Sequence, residues 1–184
     1  MTQPDLFSGR PVAADAAEVL EKFRASGGRP FHTYPVHEVR ELYERGCASN
    51  GLSGDALSSV SDFTVDDFQA RVYDPRVSSG PTPVVLFFHG GGWVMGSLST
   101  HDGLCRRLAA LTGLPVVAVD YRLAPEHPYP AAIEDSRAAL DWLFTAGGVH
   151  GLDVTEAVLV GDSAGGQLAA VLAIENAGMA DPLP

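Results

Sequence analysis

The sequence predicts an α/β fold, in which a mostly parallel sheet is covered by helices on both faces. From about residue 84 onward, short apolar stretches rich in Val and Leu alternate with longer amphipathic stretches. Strands that are apolar on both faces are typical of parallel sheets buried between helices, and the alternation implies right-handed crossover connections. The predicted strands are Val84–His89, Val116–Tyr121 and Ala157–Gly161, and the predicted helices are Thr100–Leu111, Ala131–Phe144 and Ala164–Asn176.

Two amphipathic helices precede this region, and we interpret them as a cap over it. The first carries apolar residues at helical spacing from Ala13 to Phe23, and Gly27-Gly28 is expected to end it. The second has Thr33 as a candidate cap and Gly46 as its expected end. Its apolar stripe is Val36, Val39, Leu42 and Tyr43, and its expected ion pairs are Arg40/Glu44 and Glu41/Arg45.

A change of period marks the boundary between the two regions. From about Ser58 the apolar period becomes two, which predicts strands near Val60–Val65 and Phe68–Asp74. We therefore divide the chain into residues 1–50, the N-terminal cap helices, and residues 51–184, the α/β domain.

Composition and charge exclude several classes of protein. The 184 residues are 46% hydrophobic, which is enough for a folded core. The 12 Lys and Arg are outnumbered by 23 Asp and Glu, so no nucleic-acid partner is expected, because such partners require clustered basic residues. The N-terminus lacks a signal-peptide pattern, and Gly and Pro interrupt the uncharged segment 77–101, so we expect a cytoplasmic protein with no membrane partner. Cys47 and Cys105 lack the spacing of a disulfide framework or a metal site, and no cofactor is expected.

The segment Gly161-Asp162-Ser163-Ala164-Gly165 matches the G-x-S-x-G pattern of a nucleophile elbow. It lies between an apolar stretch, 157–160, and a helical stretch, 167–174, which is the strand–turn–helix context that this pattern requires. Such a turn lifts a serine oxygen above the sheet, and the flanking glycines avoid side-chain collisions in the turn. Ser163 is therefore a candidate nucleophile.

The segment His89-Gly90-Gly91-Gly92-Trp93 follows an earlier predicted strand and is the second candidate site segment. Consecutive glycines let the backbone approach a ligand and direct N–H groups at a developing negative charge. A flexible turn without chemistry is one alternative. A dinucleotide-binding loop is another, because spaced glycines from Gly90 to Gly96 follow a strand and Asp120 ends the next one. Against it, Met95 occupies a position that the strict pattern reserves for glycine, and residues 97–99 separate the glycines from the next helix.

Three segments together resemble the hormone-sensitive-lipase-like group of α/β hydrolases, the bacterial family IV carboxylesterases. They are Phe88 to Trp93 (FHGGGW), Asp120 to Pro130 (DYRLAPEHPYP) and Gly161 to Gly166 (GDSAGG), in that order. The resemblance covers essentially the whole chain, and the two N-terminal helices match the family's cap. It implies the α/β-hydrolase fold, with residues 51–184 as the N-terminal part of the catalytic domain. It also implies hydrolysis of small-molecule carboxylic esters with short or medium acyl chains.

The resemblance implies how the reacting residues act. Ser163 is expected to attack the ester carbonyl and to carry the acyl-enzyme. Backbone N–H groups of Gly90, Gly91, Gly92 and Ala164 are expected to hold the oxyanion of the tetrahedral intermediate.

Other matching residues are expected to shape the site. His89 would fix the glycine loop through side-chain hydrogen bonds, and Asp162 would steady the elbow, with a solvated turn carboxylate as the alternative for Asp162. Tyr121, Arg122 and Glu126 are expected to hold the loop after the strand at 116–121 without touching substrate.

A serine nucleophile needs a histidine base and an acid that orients it, and in α/β hydrolases both follow the serine in sequence. After Ser163 the chain offers two acids and no histidine. We therefore expect the acid and the histidine of the triad beyond Pro184, and the 184-residue chain alone to be nearly inactive. His89 or His127 as a substitute base is one alternative. An inactive remnant or a binding domain that retains the elbow is the alternative function.

The expected position of the elbow strand has a structural consequence. In the resembled fold this strand is central, so without later neighbours residues 157–161 would form an apolar edge with unpaired backbone groups. We expect the rest of a longer protein, a second copy in a homo-oligomer or another chain to cover this edge.

Overall fold

A five-stranded mixed sheet forms the centre of the structure. The computed structural model describes residues 12–25, 29–65, 67–179 and 183 of the chain. The strands are β1 (Ser59–Val65), β2 (Phe68–Asp74), β3 (Pro81–Phe88), β4 (Val116–Asp120) and β5 (Asp153–Gly161). Their order across the sheet is β1-β2-β4-β3-β5.

The α/β fold predicted from the sequence is confirmed, but the sheet is mixed rather than mostly parallel. β3 is parallel to both β4 and β5, whereas β2 is antiparallel to both β1 and β4. Val65 pairs with Phe68 across a tight connection, and a connection that short joins only antiparallel strands. The parallel part of the sheet carries all three sequence motifs.

Five α-helices accompany the sheet within the described residues. They are α1 (Ala14–Ala25), α2 (Val36–Asn50), α3 (Asp102–Thr112), α4 (Ala131–Thr145) and α5 (Ala164–Ala177). No helix in the described ranges combines the length and the apolar character needed to span a bilayer.

The chain divides into two compact units, Met1–Pro35 and Val36–Pro184. The first unit contains α1 and a short 3-10 helix at Phe31–Thr33. The prediction that Thr33 caps α2 is wrong, because Thr33 belongs to the 3-10 helix and its hydroxyl donates to the Pro30 carbonyl at 2.7 Å. The predicted end of α1 at Gly27-Gly28 lies outside the described residues.

Helix α2 extends beyond its predicted end at Gly46. It continues to Asn50, whose side-chain amide donates to the Gly46 carbonyl at 3.0 Å. A single helical glycine costs only about 1 kcal/mol, so it does not have to end a helix. Of the two expected ion pairs, Glu41/Arg45 is present at 3.5 Å. The Arg40/Glu44 pair is not formed, because Arg40 instead binds Glu126 at 2.6 Å.

Helices cover both faces of the parallel strands. On one face α4 and α5 contribute Leu143, Leu168 and Leu172 to the larger buried cluster. On the other face α3 contributes Cys105 and Ala109 to the smaller cluster. Most residues of β3 and β4 are buried, as predicted for parallel strands between helices.

Strand β5 lies at the edge of the sheet. Among the described strands it pairs only with β3, and none of its residues is fully buried. Val158, for example, is 39% exposed. Both faces of the strand nevertheless pack against helix-covered clusters, Ala157 and Leu159 against the larger one and Val160 against the smaller one, so the predicted cover is present but incomplete. The apolar edge expected at 157–161 is present as well. β5 also begins at Asp153 rather than at Ala157, because Asp153 already pairs with Pro81 of β3.

Candidate active site

Three loops meet at the carboxyl-terminal ends of the parallel strands. Residues 89–96 follow β3, residues 121–130 follow β4, and residues 162–163 connect β5 to α5. Hydrogen bonds join the first loop to each of the other two. Ligands of open α/β sheets bind at this edge, outside the strand ends, so the three sequence motifs come together where a site is expected.

Ser163 occupies the turn between β5 and α5 in a backbone conformation that is rare outside glycine. Its φ is 50° and its ψ is −115°, a strained combination that surrounding structure must enforce. A Cβ on Gly161 would collide with the backbone of Gly165, and a Cβ on Gly165 would collide with the Phe88 carbonyl. The two glycines therefore allow β5, β3 and α5 to approach closely. Ser163 itself is exposed at the start of α5.

The glycine loop after β3 turns through left-handed backbone conformations. The φ angle is 132° at Gly91, 61° at Gly92 and 60° at Trp93. The N–H groups of Val94 and Met95 donate to the Gly91 carbonyl at 3.2 and 3.0 Å and close the turn. Because a Cβ on Gly91 would collide with the Met95 carbonyl, this turn requires glycine there.

Asp162 joins the elbow to the glycine loop. Its Oδ1 atom accepts the Gly90 N–H at 2.8 Å, and a Cβ on Gly90 would collide with this carboxylate. The Gly90 N–H is therefore already engaged. Within the described residues, no hydrogen bond occupies the N–H groups of Gly91, Gly92 or Ala164, and the N–H at the start of an α-helix normally lacks an intrahelical partner.

His89 is a buried part of the framework under the glycine loop. Its side chain is 2% exposed and stacks on Tyr121 at a ring separation of 4.3 Å. Nδ1 lies 2.9 Å from the Gly90 carbonyl, so Nδ1 carries the proton of the neutral ring. Nε2 has no hydrogen-bond partner among the described residues and lies 3.8 Å from Asp120 Oδ1. Burial lowers the pKa of His89 to about 4, so the ring is neutral at pH 7.

The loop after β4 is held by Tyr121, Arg122 and Glu126, the residues expected from the sequence to hold it. The Tyr121 hydroxyl donates to the His89 carbonyl at 2.7 Å. The Arg122 guanidinium binds Asp135 of α4, with Nε and Nη2 at 2.8 and 2.7 Å from Oδ1. Glu126 binds Arg40 of α2. These contacts connect the loop to α2, α4 and the glycine loop.

A largely apolar cavity of about 420 Å³ lies beside the glycine loop. Gly92 and Trp93 form one side of it, and Gln167 and Val171 of α5 form another. Gln167 lies one helical turn after Ser163, whose carbonyl accepts the Gln167 N–H at 3.1 Å. The cavity therefore opens within a helical turn of the elbow. Its remaining lining residues are Arg122, Ala124, His127, Tyr129, Pro130, Ala132, Ile133 and Leu168.

The dinucleotide alternative does not fit this geometry. A pyrophosphate site needs the N-terminus of a helix directly after the glycines, whereas here the glycine loop closes on itself and α3 begins only at Asp102. In the described ranges, no three or more His, Cys, Asp or Glu side chains are grouped as metal ligands would be.

Two residues at the site are not marked by any sequence motif. His101 immediately precedes α3, and its Nε2 lies 3.2 Å from Asp162 Oδ1. Arg40 of α2 donates to the Val94 carbonyl in the glycine loop at 2.7 Å. Each partner is distant in sequence, so the local patterns that reveal motifs contain no signal for these contacts.

The sheet, the serine turn and the ordered glycine loop together define the core of an α/β hydrolase. A family profile described as "alpha/beta hydrolase fold" matches residues 85–183. The chain therefore belongs to the α/β-hydrolase fold family.

Proteins similar to this chain are esterases. Carboxylesterase NlhH of Mycobacterium tuberculosis is 50% identical over 165 residues, which cover 89% of this chain and 47% of NlhH. Esterase LipI of the same organism is 53% identical over 114 residues, which cover 61% of this chain and 36% of LipI. A solved structure of a hyperthermophilic esterase from the archaeon Pyrobaculum calidifontis has a TM-score of 0.83 and 38% identity, covering 94% of this chain and 56% of that one. These matches confirm the resemblance to hormone-sensitive-lipase-like carboxylesterases, and the chain spans about half the length of these proteins or less.

Proposed function

We propose that the protein carrying this chain is a serine carboxylesterase that cleaves short- to medium-chain carboxylic esters through an acyl-enzyme on Ser163. The observation that carries the proposal is the backbone of Ser163, an exposed serine in a strained turn at the start of α5. Strain of this kind persists where the surrounding structure enforces it, and it is concentrated at functional sites. The esterases similar to this chain support the same reaction class.

The oxyanion of the tetrahedral intermediate would be stabilised by backbone N–H groups. Those of Gly91, Gly92 and Ala164 have no other acceptor among the described residues, and the N-terminus of α5 favours negative charge. The Gly90 N–H donates to Asp162, so in this proposal Gly90 positions the loop rather than contacting the oxyanion. Each free donor would contribute a factor of about 10²–10³ to the rate.

The reaction requires a base for the Ser163 proton. This base takes the proton as the serine oxygen attacks, and returns it to the leaving alcohol when the tetrahedral intermediate collapses. Water then releases the acid from the acyl-enzyme by the same route. The imidazoles of His89 and His101 are held against Gly90 and Asp162 respectively. We therefore propose that the acid and histidine of the triad come from sequence beyond Pro184, in line with the greater length of the relatives.

The apolar cavity beside Trp93 is proposed to receive the hydrocarbon part of the ester. Its wall on α5 begins one turn after Ser163, and its largely apolar lining suits an alkyl or acyl chain. Residues 1–50 would act as the cap, and the cytoplasmic location stays a prediction from the sequence. The edge of β5 would be covered by the continuation of the protein, by a second copy or by another chain.

The test measures hydrolysis of p-nitrophenyl esters from acetate to palmitate by the protein as its gene encodes it. We expect the highest kcat/KM for short and medium acyl chains. Ser163→Ala should lower kcat by a factor on the order of 10⁶, because the nucleophile is lost. A fluorophosphonate probe should add its mass to the peptide containing Ser163. The 184-residue chain alone should show a rate close to that of Ser163→Ala.

Ser79→Ala is the matched control, because Ser79 is also exposed but lies at the opposite end of the sheet, before β3. It should keep the unmodified rate. Equal rates for the unmodified protein and Ser163→Ala would reject the proposal and favour the alternative, a binding domain or inactive remnant that retains the elbow.

A further inference from the structure

His101 is a buried histidine with contacts at both ring nitrogens. It lies just before α3, is 8% exposed, and packs against the rings of Phe87 and His89, with centroid separations of 5.8 and 5.7 Å. Nδ1 is 2.8 Å from the Thr100 hydroxyl oxygen, and Nε2 is 3.2 Å from Asp162 Oδ1. Buried polar groups are normally paired, and here one partner belongs to the nucleophile elbow.

The carboxylate that His101 contacts also holds the glycine loop. The same Oδ1 atom of Asp162 accepts the Gly90 N–H at 2.8 Å. The Gly90 N–H makes a hydrogen bond to this oxygen, whereas His101 Nε2 approaches it at ion-pair distance. Through these two contacts His101, Asp162 and Gly90 form one connected set. This set joins the start of α3, the elbow and the loop that carries Gly91 and Gly92.

The far end of the set is fixed to the loop before α3. The Thr100 hydroxyl oxygen accepts the Ser97 N–H at 2.9 Å and lies 2.8 Å from the Ser97 carbonyl. The backbone around His101 is therefore held in place on the side away from Asp162. If the Thr100 hydroxyl donates to Nδ1, the neutral ring of His101 carries its proton on Nε2. If the hydroxyl donates to the Ser97 carbonyl, it accepts from Nδ1, and a proton on Nε2 then makes the ring an imidazolium.

The side chain of Asp162 needs such a partner because it is 46% exposed. Without a second contact, a half-exposed carboxylate exchanges its protein partner for water with little loss of free energy. We infer that His101 is a positioning residue for ester hydrolysis: it holds the Asp162 carboxylate on Gly90 and so fixes the direction of the Gly91 and Gly92 N–H groups. This inference rests on the proposed function.

The test compares three substitutions of His101 in the protein as its gene encodes it. His101→Gln keeps an N–H donor near the position of Nε2, His101→Asn places its donor near Nδ1, and His101→Leu has none. We expect kcat for p-nitrophenyl butyrate to fall about tenfold or more in the Leu and Asn variants, with KM changed less than about twofold. The effect is smaller than the loss of a whole oxyanion donor because the donors are misdirected rather than removed. His101→Gln should recover most of kcat.

A second readout does not depend on catalysis. Hydrogen exchange of the peptide containing Gly90 to Trp93 should be faster in His101→Leu and His101→Asn than in the unmodified protein and His101→Gln. His150→Gln is the matched control, because His150 packs against Phe63 and Trp142, away from the site. Thermal midpoints of all variants show whether a loss of kcat reflects unfolding.

The outcomes separate this inference from the proposed function. If the unmodified protein hydrolyses no ester, the proposed function fails, and exchange that is equal in all variants overturns the positioning role as well. If the protein hydrolyses esters but His101→Leu keeps kcat, the inference is overturned and the proposed function stands. It is also overturned if His101→Gln and His101→Leu are equally impaired, since packing rather than the polar contact with Asp162 would then explain the effect.

Discussion

At the scale of single residues, the conformation of Ser163 depends on the glycines around it. A positive φ at a non-glycine residue costs about 1–3 kcal/mol, and the close contacts of Gly161 with Gly165 and of Gly165 with Phe88 enforce it. These contacts are between backbone atoms, so a change of rotamer cannot relieve them. The serine is therefore held in its strained turn by the packing of β5, β3 and α5.

Individual residues of the site differ in whether the sequence alone predicts their position and contacts. Ser163 and the glycine loop were predictable because each motif records a local backbone requirement, a tight turn or a positive φ. The contacts of Asp162 with Gly90 and His101 were not, because they depend on β3 and β5 being neighbours in the sheet. A motif specifies which residue is present, whereas the strand pairing decides what that residue contacts.

The buried ring of His89 predicts a loss of stability in mild acid. Its pKa is about 4 in the folded protein, lowered by burial from the ordinary value of 6.5, so the unfolded chain binds the proton first. The free energy of unfolding should therefore fall as the pH decreases from 6.5 towards 4. At 1.36 kcal/mol per pKa unit, His89 should remove about 2 kcal/mol between pH 7 and pH 5.

Urea unfolding at pH 7 and pH 5 measures this loss. His89→Asn is the comparison, because its amide keeps a donor near the Gly90 carbonyl but does not titrate. The pH-dependent loss should be about 2 kcal/mol larger in the unmodified protein than in the variant, since the other titrating groups are common to both. Identical losses would contradict a buried, neutral His89.

Among the helices and strands, the ends of buried elements are predicted from the sequence more accurately than the ends of exposed ones. The predicted β4 and α4 agree with the structure to within one residue at each end, because continuous apolar patterns mark buried elements. Helix α2 and strand β5 differ more. Gly46 is tolerated inside α2. Three of the first four residues of β5 are polar, so backbone pairing with β3 rather than side-chain burial determines where β5 begins.

Helix α2 is attached to the site through Arg40. We therefore expect substitution of Arg40 to lower the free energy of unfolding more than substitution of Arg45 on the same helix. Arg40 donates to the Val94 carbonyl at 2.7 Å and to the Ala124 carbonyl at 3.0 Å, and it also binds Glu126. Arg40→Met keeps the aliphatic part of the side chain but leaves both carbonyls without this donor, so we expect a loss of about 1–2 kcal/mol in urea unfolding.

Arg45→Met is the control on the same helix. Among the described residues Arg45 pairs only with Glu41, at 3.5 Å, and such exposed pairs contribute less than about 1 kcal/mol. We expect its loss to stay below about 0.5 kcal/mol. If Arg40→Met proves as mild as Arg45→Met, the bonds to Val94 and Ala124 do not hold α2 on the loops.

In the whole molecule, the exposed edge of β5 is the surface that the additional residues of the longer relatives would be expected to cover. β5 pairs only with β3 among the described strands, yet it is an apolar strand that leads directly to Ser163. The matched segments cover only 36%, 47% and 56% of three similar esterases, so those proteins are longer than this chain. An apolar edge with unpaired backbone groups is a template for pairing with another strand. The surface beside Ser163 is therefore the one that an additional segment or chain would cover.

This edge predicts that the 184-residue chain associates with itself through β5. Light scattering over a concentration series should give a mass above that of the monomer and rising with concentration. Val158→Lys places a charge on the half-exposed middle of the strand and should shift the population towards monomer, because lysine on an edge strand opposes pairing. Val77→Lys, at a residue that is 98% exposed outside the strands, should leave the mass unchanged.

In the protein as its gene encodes it, Val158→Lys should instead lower the thermal midpoint, because the charge would be buried under the covering segment. A monodisperse monomer of the unmodified chain at all concentrations would contradict association through β5.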